Sequence, residues 1–374
     1  MASDALNPPR VWGLLGQRRG DNQQVLALGT ALGWPFTTRQ LHYSAASLLP
    51  NILRRSRPLG IRVDPESPVA PPWPDLVLSV GRRSAPLALQ IRAAAGGRCR
   101  LVQIGRPGAP LDWFDLIVTT PQYQLPAAAN VIEIPLPFVG SAPQPPATAA
   151  ATTNSAGMLV VLVGGPTAEL AFGVDEARAL AAVALRRAAA AGGTLAIVTS
   201  PRTPGDVAAA LVELVPPPHA VHVWRAGAPN PYAALLAAAD RILVTADSVS
   251  MLADACHSNA AVDVFPLPET SHSLRRIADR AYAAVARRAG RRDPLSWLLA
   301  SPLTSGLVPA PRRYDAVADA LVRRGLLGAA ACSAAERRSA IAAWEEAVLE
   351  RVRALLARDQ RSSVAARVAR EEAF

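Results

Sequence analysis

Apolar runs of three to five residues recur along this chain, and most run into a turn built from glycine, proline, serine, threonine or aspartate. Such runs are short for a buried helix and read as strands covered on both faces, the habit of a parallel sheet. In the first half they fall at residues 11–15, 76–80, 101–104, 116–118 and 131–134. In the second half they fall at 159–163, 194–198, 221–224, 242–244 and 262–265. Helix-period segments follow several of them, at 25–32, 85–95, 177–191, 207–214 and from Asn230-Pro231-Tyr232 towards Asp240. Strand, turn and helix in this rhythm predict an α/β chain with doubly wound parallel sheets.

Between the halves, residues 141–157 are rich in Ser, Ala, Pro and Thr, with no charge and no period, which is the composition of a linker. The expected organisation is a Rossmann-like domain at 1–140, the linker at 141–157, a second Rossmann-like domain at 158–310 and a helical C-terminal segment at 311–374. Beyond Pro268 the pattern predicts helices at 274–289 and 314–327, a basic turn at 287–292 and an apolar stretch at 295–307. The last helix, 334–369, carries Ile341, Trp344, Val348, Val352 and Leu355 near helical spacing, a stripe for core packing or a partner.

Charge and composition narrow the partners. The net charge of +10 comes from arginine alone, since the 374 residues include no lysine. Arginine in excess favours phosphates, anionic headgroups or acidic glycans. An aromatic content of 5% and the lack of a helix-turn-helix, RNP or zinc pattern argue against nucleic acid. Cys99, Cys256 and Cys332 have no metal-ligand or disulfide spacing, and no Asp-x-Asp motif occurs, so no metal and no cofactor are expected. With no signal peptide at the start and no apolar stretch long enough to span a bilayer, the expected setting is the cytoplasm. Peripheral contact with the inner face of the membrane stays open. A predicted helix at 48–57 has a basic end at Arg54, Arg55 and Arg57, which suits either anionic lipid or a solvated face.

The candidate binding residues cluster after the strands. Gly16 and Gly20 allow a tight turn before the first helix, with Asp21 or Asn22 as its cap. Gly81-Arg82-Arg83-Ser84 sets two guanidinium groups and a hydroxyl at a strand end, a candidate anion site or a pair of surface arginines. In the second half, Gly164-Gly165-Pro166-Thr167 admits close approach, and Ser200 and Arg202 suit a phosphate. Asp247-Ser248-Val249-Ser250 reads as a strand-to-helix turn whose free N–H groups suit another phosphate. Asp254, farther along that helix, suits ribose hydroxyls. Together these describe a nucleotide-diphosphate pocket in a cleft between the two domains.

Several of these motifs, in this order, resemble the bacterial and plant family of mitochondrial fission ELM (elongated mitochondria) proteins. The resemblance rests on Gly16 with Gly20-Asp21-Asn22-Gln23, on Pro74-Asp75-Leu76-Val77 with Gly81-Arg82-Arg83-Ser84-Ala85-Pro86, and on Gln103-Ile104-Gly105-Arg106-Pro107-Gly108. It continues through Thr119-Thr120-Pro121-Gln122-Tyr123, Val163-Gly164-Gly165, Asn230-Pro231-Tyr232 and Asp247-Ser248-Val249-Ser250-Met251. That family is similar to glycosyltransferases of the GT-B type. The resemblance implies two Rossmann-like domains facing a cleft, with a nucleotide-sugar held mainly by the second. Sugar transfer to an envelope lipid or glycan acceptor is the expectation. Asp21 is then the candidate base, while Arg82, Arg83 and Arg106 hold an anionic acceptor or offset the leaving diphosphate. Plant members are associated with recruiting a dynamin-like protein to mitochondria, so a non-catalytic adaptor at a membrane surface is the other expectation.

Overall fold

The computed structural model describes residues 8–140, 157–270, 312–328 and 331–371. Residues 141–156 of the linker expected at 141–157, and the segments expected at 274–289, 287–292 and 295–307, lie outside the described residues.

The first region runs β1 (Val11–Leu15), α1 (Arg19–Ala31), β2 (Phe36–Tyr43), α2 (Asn51–Arg54), β3 (Ile61–Val63), β4 (Leu76–Val80), α3 (Gly81–Ala94), β5 (Arg100–Ile104), β6 (Leu116–Thr119) and β7 (Val131–Glu133). Its seven strands lie in the order β3-β2-β1-β4-β5-β6-β7, parallel except for the β2–β3 pair. The chain therefore reverses direction across the sheet between β1 and β4, where the ends of neighbouring strands open a crevice. The loops after those two strands are the ones that start at Gly16 and at Gly81.

The second region runs β8 (Leu159–Val163), α4 (Val174–Ala190), β9 (Leu195–Thr199), α5 (Gly205–Leu214), β10 (Ala220–His222), α6 (Tyr232–Ala238), β11 (Arg241–Thr245), α7 (Val249–His257) and β12 (Ala261–Phe265). Five parallel strands lie in the order β10-β9-β8-β11-β12. Here the switch falls between β8 and β11, so Gly164-Gly165 and Asp247-Ser248 flank the second crevice. The strands β4, β8 and β9 are buried at every position, which is why they read as largely apolar runs with a single Ser79 in β4 and a single Thr199 in β9.

Two helices complete the described chain, α8 (Asp315–Arg323) and α9 (Ala334–Glu371). One face of the first sheet has no crossover helix between β5, β6 and β7, only short 3-10 turns at Leu111–Trp113 and Pro121–Tyr123. α9 supplies the cover. Its Val348, Leu349, Val352 and Leu356 join a core with Val102, Ile104, Leu116 and Val118 of the first sheet. About two turns before Val348, Ile341 belongs to the core of the second sheet with Leu252, Cys256 and Val262, and Trp344 packs against both clusters. The stripe expected for core packing thus serves two cores.

Three local readings change. Asp21 and Asn22 do not cap α1, which starts at Arg19 with no side-chain cap. Residues 48–57 form no continuous helix but a 3-10 turn at Ala45–Leu48 and the single turn α2. The third helix begins at Gly81, so Arg82, Arg83 and Ser84 occupy its first turn.

Candidate functional site

Asn22 closes the β1–α1 turn on itself: Gly16 N donates to its Oδ1 at 2.8 Å, and its Nδ2 donates to Gly16 O at 2.9 Å. Gln40 Nε2 adds a bond to the same carbonyl at 3.0 Å, and the Tyr43 ring packs where a Cβ on Gly16 would sit, 3.1 Å away. The loop is held from behind, leaving its outer side to Gly20, Asp21 and the exposed Gln23. Burial raises the pKa of Asp21, with the charges of Arg18 and Arg312 pulling the other way.

After β4, Gly81 takes φ +67°, a conformation that favours glycine, and its carbonyl accepts Gln103 Nε2 at 3.0 Å. Gln103 is fully buried and also accepts the Ser79 hydroxyl at 2.7 Å, a polar pair that fixes the turn from inside the sheet. The four expected anion ligands divide. Ser84 is buried and gives its hydroxyl to Val80 O at 2.8 Å, the bond of a helical serine to its own backbone. Arg82 Nη2 donates to Leu48 O at 2.6 Å, the Arg83 guanidinium stands 5.5 Å from the Tyr43 ring centre, and Arg106 Nη2 donates to Tyr123 O.

In the second region, the glycine pair makes room for the protein's own groups. A Cβ on Gly164 would lie 2.0 Å from Asp247 Oδ2, and one on Gly165 would lie 2.1 Å from Arg202 O. Asp247 Oδ2 accepts Gly165 N at 2.9 Å and Arg202 Nη2 at 2.7 Å, while its Oδ1 is buried with no hydrogen-bond partner. Ser200 donates to Gly164 O at 3.1 Å, and Thr203 bonds the same carbonyl at 2.5 Å. Ser200, Arg202 and Asp247 therefore tie the loops of β8, β9 and β11 together. Thr167 caps its own turn by accepting Leu170 N at 3.0 Å.

Ser248 is the first residue before α7 and makes no side-chain cap, so the helix presents its first-turn N–H groups uncapped. Ser250 is exposed in that turn, and Met251 packs half-buried on the second core. The two regions meet here: a Cβ on Gly20 would stand 3.4 Å from Ser250 Oγ. Two helix starts without a side-chain cap, those of α1 and α7, thus come close together. Farther along α7, Asp254 Oδ2 accepts the Tyr232 hydroxyl at 2.7 Å, and burial raises the Asp254 pKa against that hydrogen bond.

The residues just before α8 close the side of the gap. Arg313 N donates to Gln122 O at 2.9 Å, and the Arg312 guanidinium lies 5.1 Å from the centre of the Tyr123 ring. Burial works against the charge of Arg312, yet Tyr123, Tyr314 and Asp21 outweigh it and its pKa is raised. Among the described residues no group of three or more His, Cys, Asp or Glu side chains is arranged to hold a metal ion.

The family model for mitochondrial fission ELM1 matches residues 19–299, a span that takes in the strand-end motifs from Gly20 onward but neither β1 nor Gly16. The chain belongs to the mitochondrial fission ELM family. The Mitochondrial fission protein ELM1 of Arabidopsis thaliana is 27% identical over 219 residues, covering 51% of this chain and 51% of the relative. An uncharacterized protein of Rickettsia prowazekii (strain Madrid E) is 31% identical over 109 residues, covering 29% of this chain and 30% of that one. The chain thus spans about half the length of the first of these curated relatives and less of the second. Among solved structures, a putative UDP-N-acetylglucosamine 2-epimerase from Listeria monocytogenes is similar at 12% identity, covering 85% of this chain and 96% of that one with a TM-score of 0.44.

In this ELM-family chain the sequence motifs fall on the carboxyl edges of both sheets, and the two crevices hold Gly16, Gly81, Gly164 and Ser248. Residue-by-residue reading missed Tyr232 as the partner of Asp254 and Arg312 as the cation near Asp21. Asn230-Pro231-Tyr232 was visible as a helix start, but nothing in its spacing points at a carboxylate 22 residues on.

Proposed function

We propose that this chain transfers a sugar from a nucleotide-sugar to an envelope lipid or glycan acceptor, with the nucleotide on the second sheet and the acceptor on the first. The observation that carries the reading is the meeting of α1 and α7, whose uncapped N-termini converge at Gly20 and Ser250. Two positive dipole ends close together are unfavourable unless an anion lies between them, and a diphosphate supplies it.

In this reading the first-turn N–H groups of α7 at Val249 and Ser250 hold the diphosphate. Gly164-Gly165 lets the backbone approach it, and Ser200 and Arg202 keep that loop in place. Asp254, oriented by Tyr232 through one oxygen, offers the other to the ribose hydroxyls. Across the gap, Asp21 takes the proton of an acceptor hydroxyl as its oxygen attacks the anomeric carbon. The bonding pair of the anomeric C–O bond leaves with the nucleoside diphosphate, and Arg83, Arg106 and Arg312 offset the charge. A raised pKa suits Asp21 to that work, because a carboxylate that holds its proton more tightly is a stronger base.

Melting in the presence of UDP-, GDP-, CMP- and TDP-sugars tests the reading. One class should raise Tm, with roughly 2.7 kcal/mol of added stability at a hundredfold excess over Kd. Ser250→Glu, which puts a negative charge between the helix ends, should abolish that shift. No shift with any of the four classes near millimolar ligand sinks the proposal. The family description favours a second reading, an adaptor that uses the two-domain shell to bring a dynamin-like partner to a membrane. It predicts partner capture that survives Asp21→Asn and Ser250→Glu.

A further inference from the structure

The segment that joins β2 to β3 is folded inside out. Its polar side chains Ser47, Asn51 and Arg54 are buried, at 1%, 2% and 1% exposure, while Leu48, Leu49, Leu53 and Leu59 stand out at 56%, 47%, 70% and 50%. The buried groups explain how this is held. Arg54 Nη1 donates to Ser47 O and to Asn51 Oδ1, both at 3.2 Å, and its Nη2 donates to Leu59 O at 2.6 Å. Asn51 Nδ2 donates to Arg82 O at 2.6 Å and to Pro107 O at 2.9 Å, which ties the segment to the loops after β4 and β5. A guanidinium with no carboxylate among its bonding partners is a costly core, and burial lowers its pKa. A fold that places it there gives up water contacts for polar groups and gives water four leucines instead.

Positive charge dominates the segment: residues 22–63 contain five arginines and no aspartate or glutamate, and the next carboxylates are Asp64 and Glu66 beyond β3. Of these, Arg55, Arg57 and Arg62 are exposed in the segment or on β3 beside it. Arg82 adds its guanidinium at Leu48 O, and its pKa is lowered by burial and then by Arg83, as expected where cations crowd. Clustered exposed leucines mark a docking surface. A rim carrying three exposed arginines matches the phosphates of an anionic bilayer, into which leucines enter at the level of the acyl boundary.

We propose that the Leu48, Leu49, Leu53 and Leu59 surface, rimmed by Arg55, Arg57 and Arg62, docks this chain on an anionic lipid bilayer. Asn51 then does two jobs: it presents the leucines and fixes that surface against the strand-end loops carrying Arg82 and Arg106. Docking would therefore bring the carboxyl edge of the first sheet to the lipid headgroups. The proposal stands on the patch alone and does not need the sugar-transfer reading.

Sedimentation of the full chain with vesicles of equimolar phosphatidylglycerol and phosphatidylcholine, against vesicles of phosphatidylcholine alone, tests it. The chain is expected to bind the anionic vesicles and to release as salt rises. The double variant Leu48→Gln/Leu53→Gln should lower that partition at least about tenfold with an unchanged Tm. The double variant Arg55→Asn/Arg57→Gln should lower it by about tenfold or more, asparagine being chosen because Arg55 has φ +48°. A matched loss of charge elsewhere, Arg178→Gln/Arg186→Gln on the exposed face of α4, should leave it unchanged. The proposal is overturned if anionic vesicles are ignored, if the leucine variant binds as before, or if the α4 variant loses binding equally. It falls too if the leucine variant only changes the oligomeric state in solution, which would make the patch a contact between copies. Sugar-nucleotide melting shifts in the same variants report separately on the cleft.

Discussion

Asp21 sits near the start of α1 with burial lifting its pKa and Arg18 and Arg312 pulling it down less strongly. The folded chain therefore holds this proton more tightly than the unfolded chain, whose carboxyl titrates at about 3.9. The associated stability is fully present below that value and is lost as pH rises through the higher folded pKa. Asp21→Asn removes the titration, so its stability relative to the parent should climb as pH is raised from about 4 through that window. Urea midpoints measured at a series of pH values check this, and a difference that stays flat contradicts the burial of the carboxyl. Tyr232 gives a second test at this scale. Tyr232→Phe leaves Asp254 Oδ2 without its donor, and should cost about 1–2 kcal/mol in denaturant unfolding as well as weakening any nucleotide-induced shift.

At the scale of elements, α7 has both ends arranged from elsewhere. Its start is left open, whereas its end is closed by Arg337 of α9, which is buried and donates to Cys256 O at 2.9 Å, Ser258 O at 3.0 Å and Ala260 O at 2.8 Å. A cation at a helix C-terminus that also satisfies three carbonyls is worth more than an exposed cap, and Arg337→Met should cost about 2–4 kcal/mol. The β8 loop is as exacting. In Gly165→Ala the new methyl would meet Arg202 O at 2.1 Å, a contact with backbone that no rotamer relieves. That variant should lose at least about 1–3 kcal/mol, with a fall in denaturant midpoint and little change in m.

These elements also show what could be read beforehand. Strands such as β4, β8 and β11 were legible because each carries an apolar run of three or more residues and ends in a polar or glycine turn. The site loops were legible for the same reason, since a turn after such a strand must lie on the sheet's carboxyl edge. Three things were not. β3 is three residues long and only partly buried, so it has no pattern of its own. Arg54 reads as a surface charge because its acceptors are backbone carbonyls, which a sequence does not display. Arg202 reads as a phosphate ligand and Asp247 as part of the turn before α7, yet their 2.7 Å pairing across 45 residues depends on how β9 and β11 flank β8.

For the whole molecule, α9 is the part that the two sheets share. Deletion of residues 334–374 should strip the cover from Val102, Ile104, Leu116 and Val118 and remove Ile341 from the second core. The truncated chain should bind a hydrophobic dye and lose cooperative unfolding, while a chain that melts as sharply as the parent would show that α9 is dispensable. Glu345, the residue after Trp344, accepts the N–H groups of Val139 and Gly140 at 2.9 Å each, so the helix also grips the point where the chain leaves the first sheet. With Ile341 seated in one core, Val348 in the other and Trp344 against both, any change in the angle between the two sheets has to be taken up at this one stretch of a single helix.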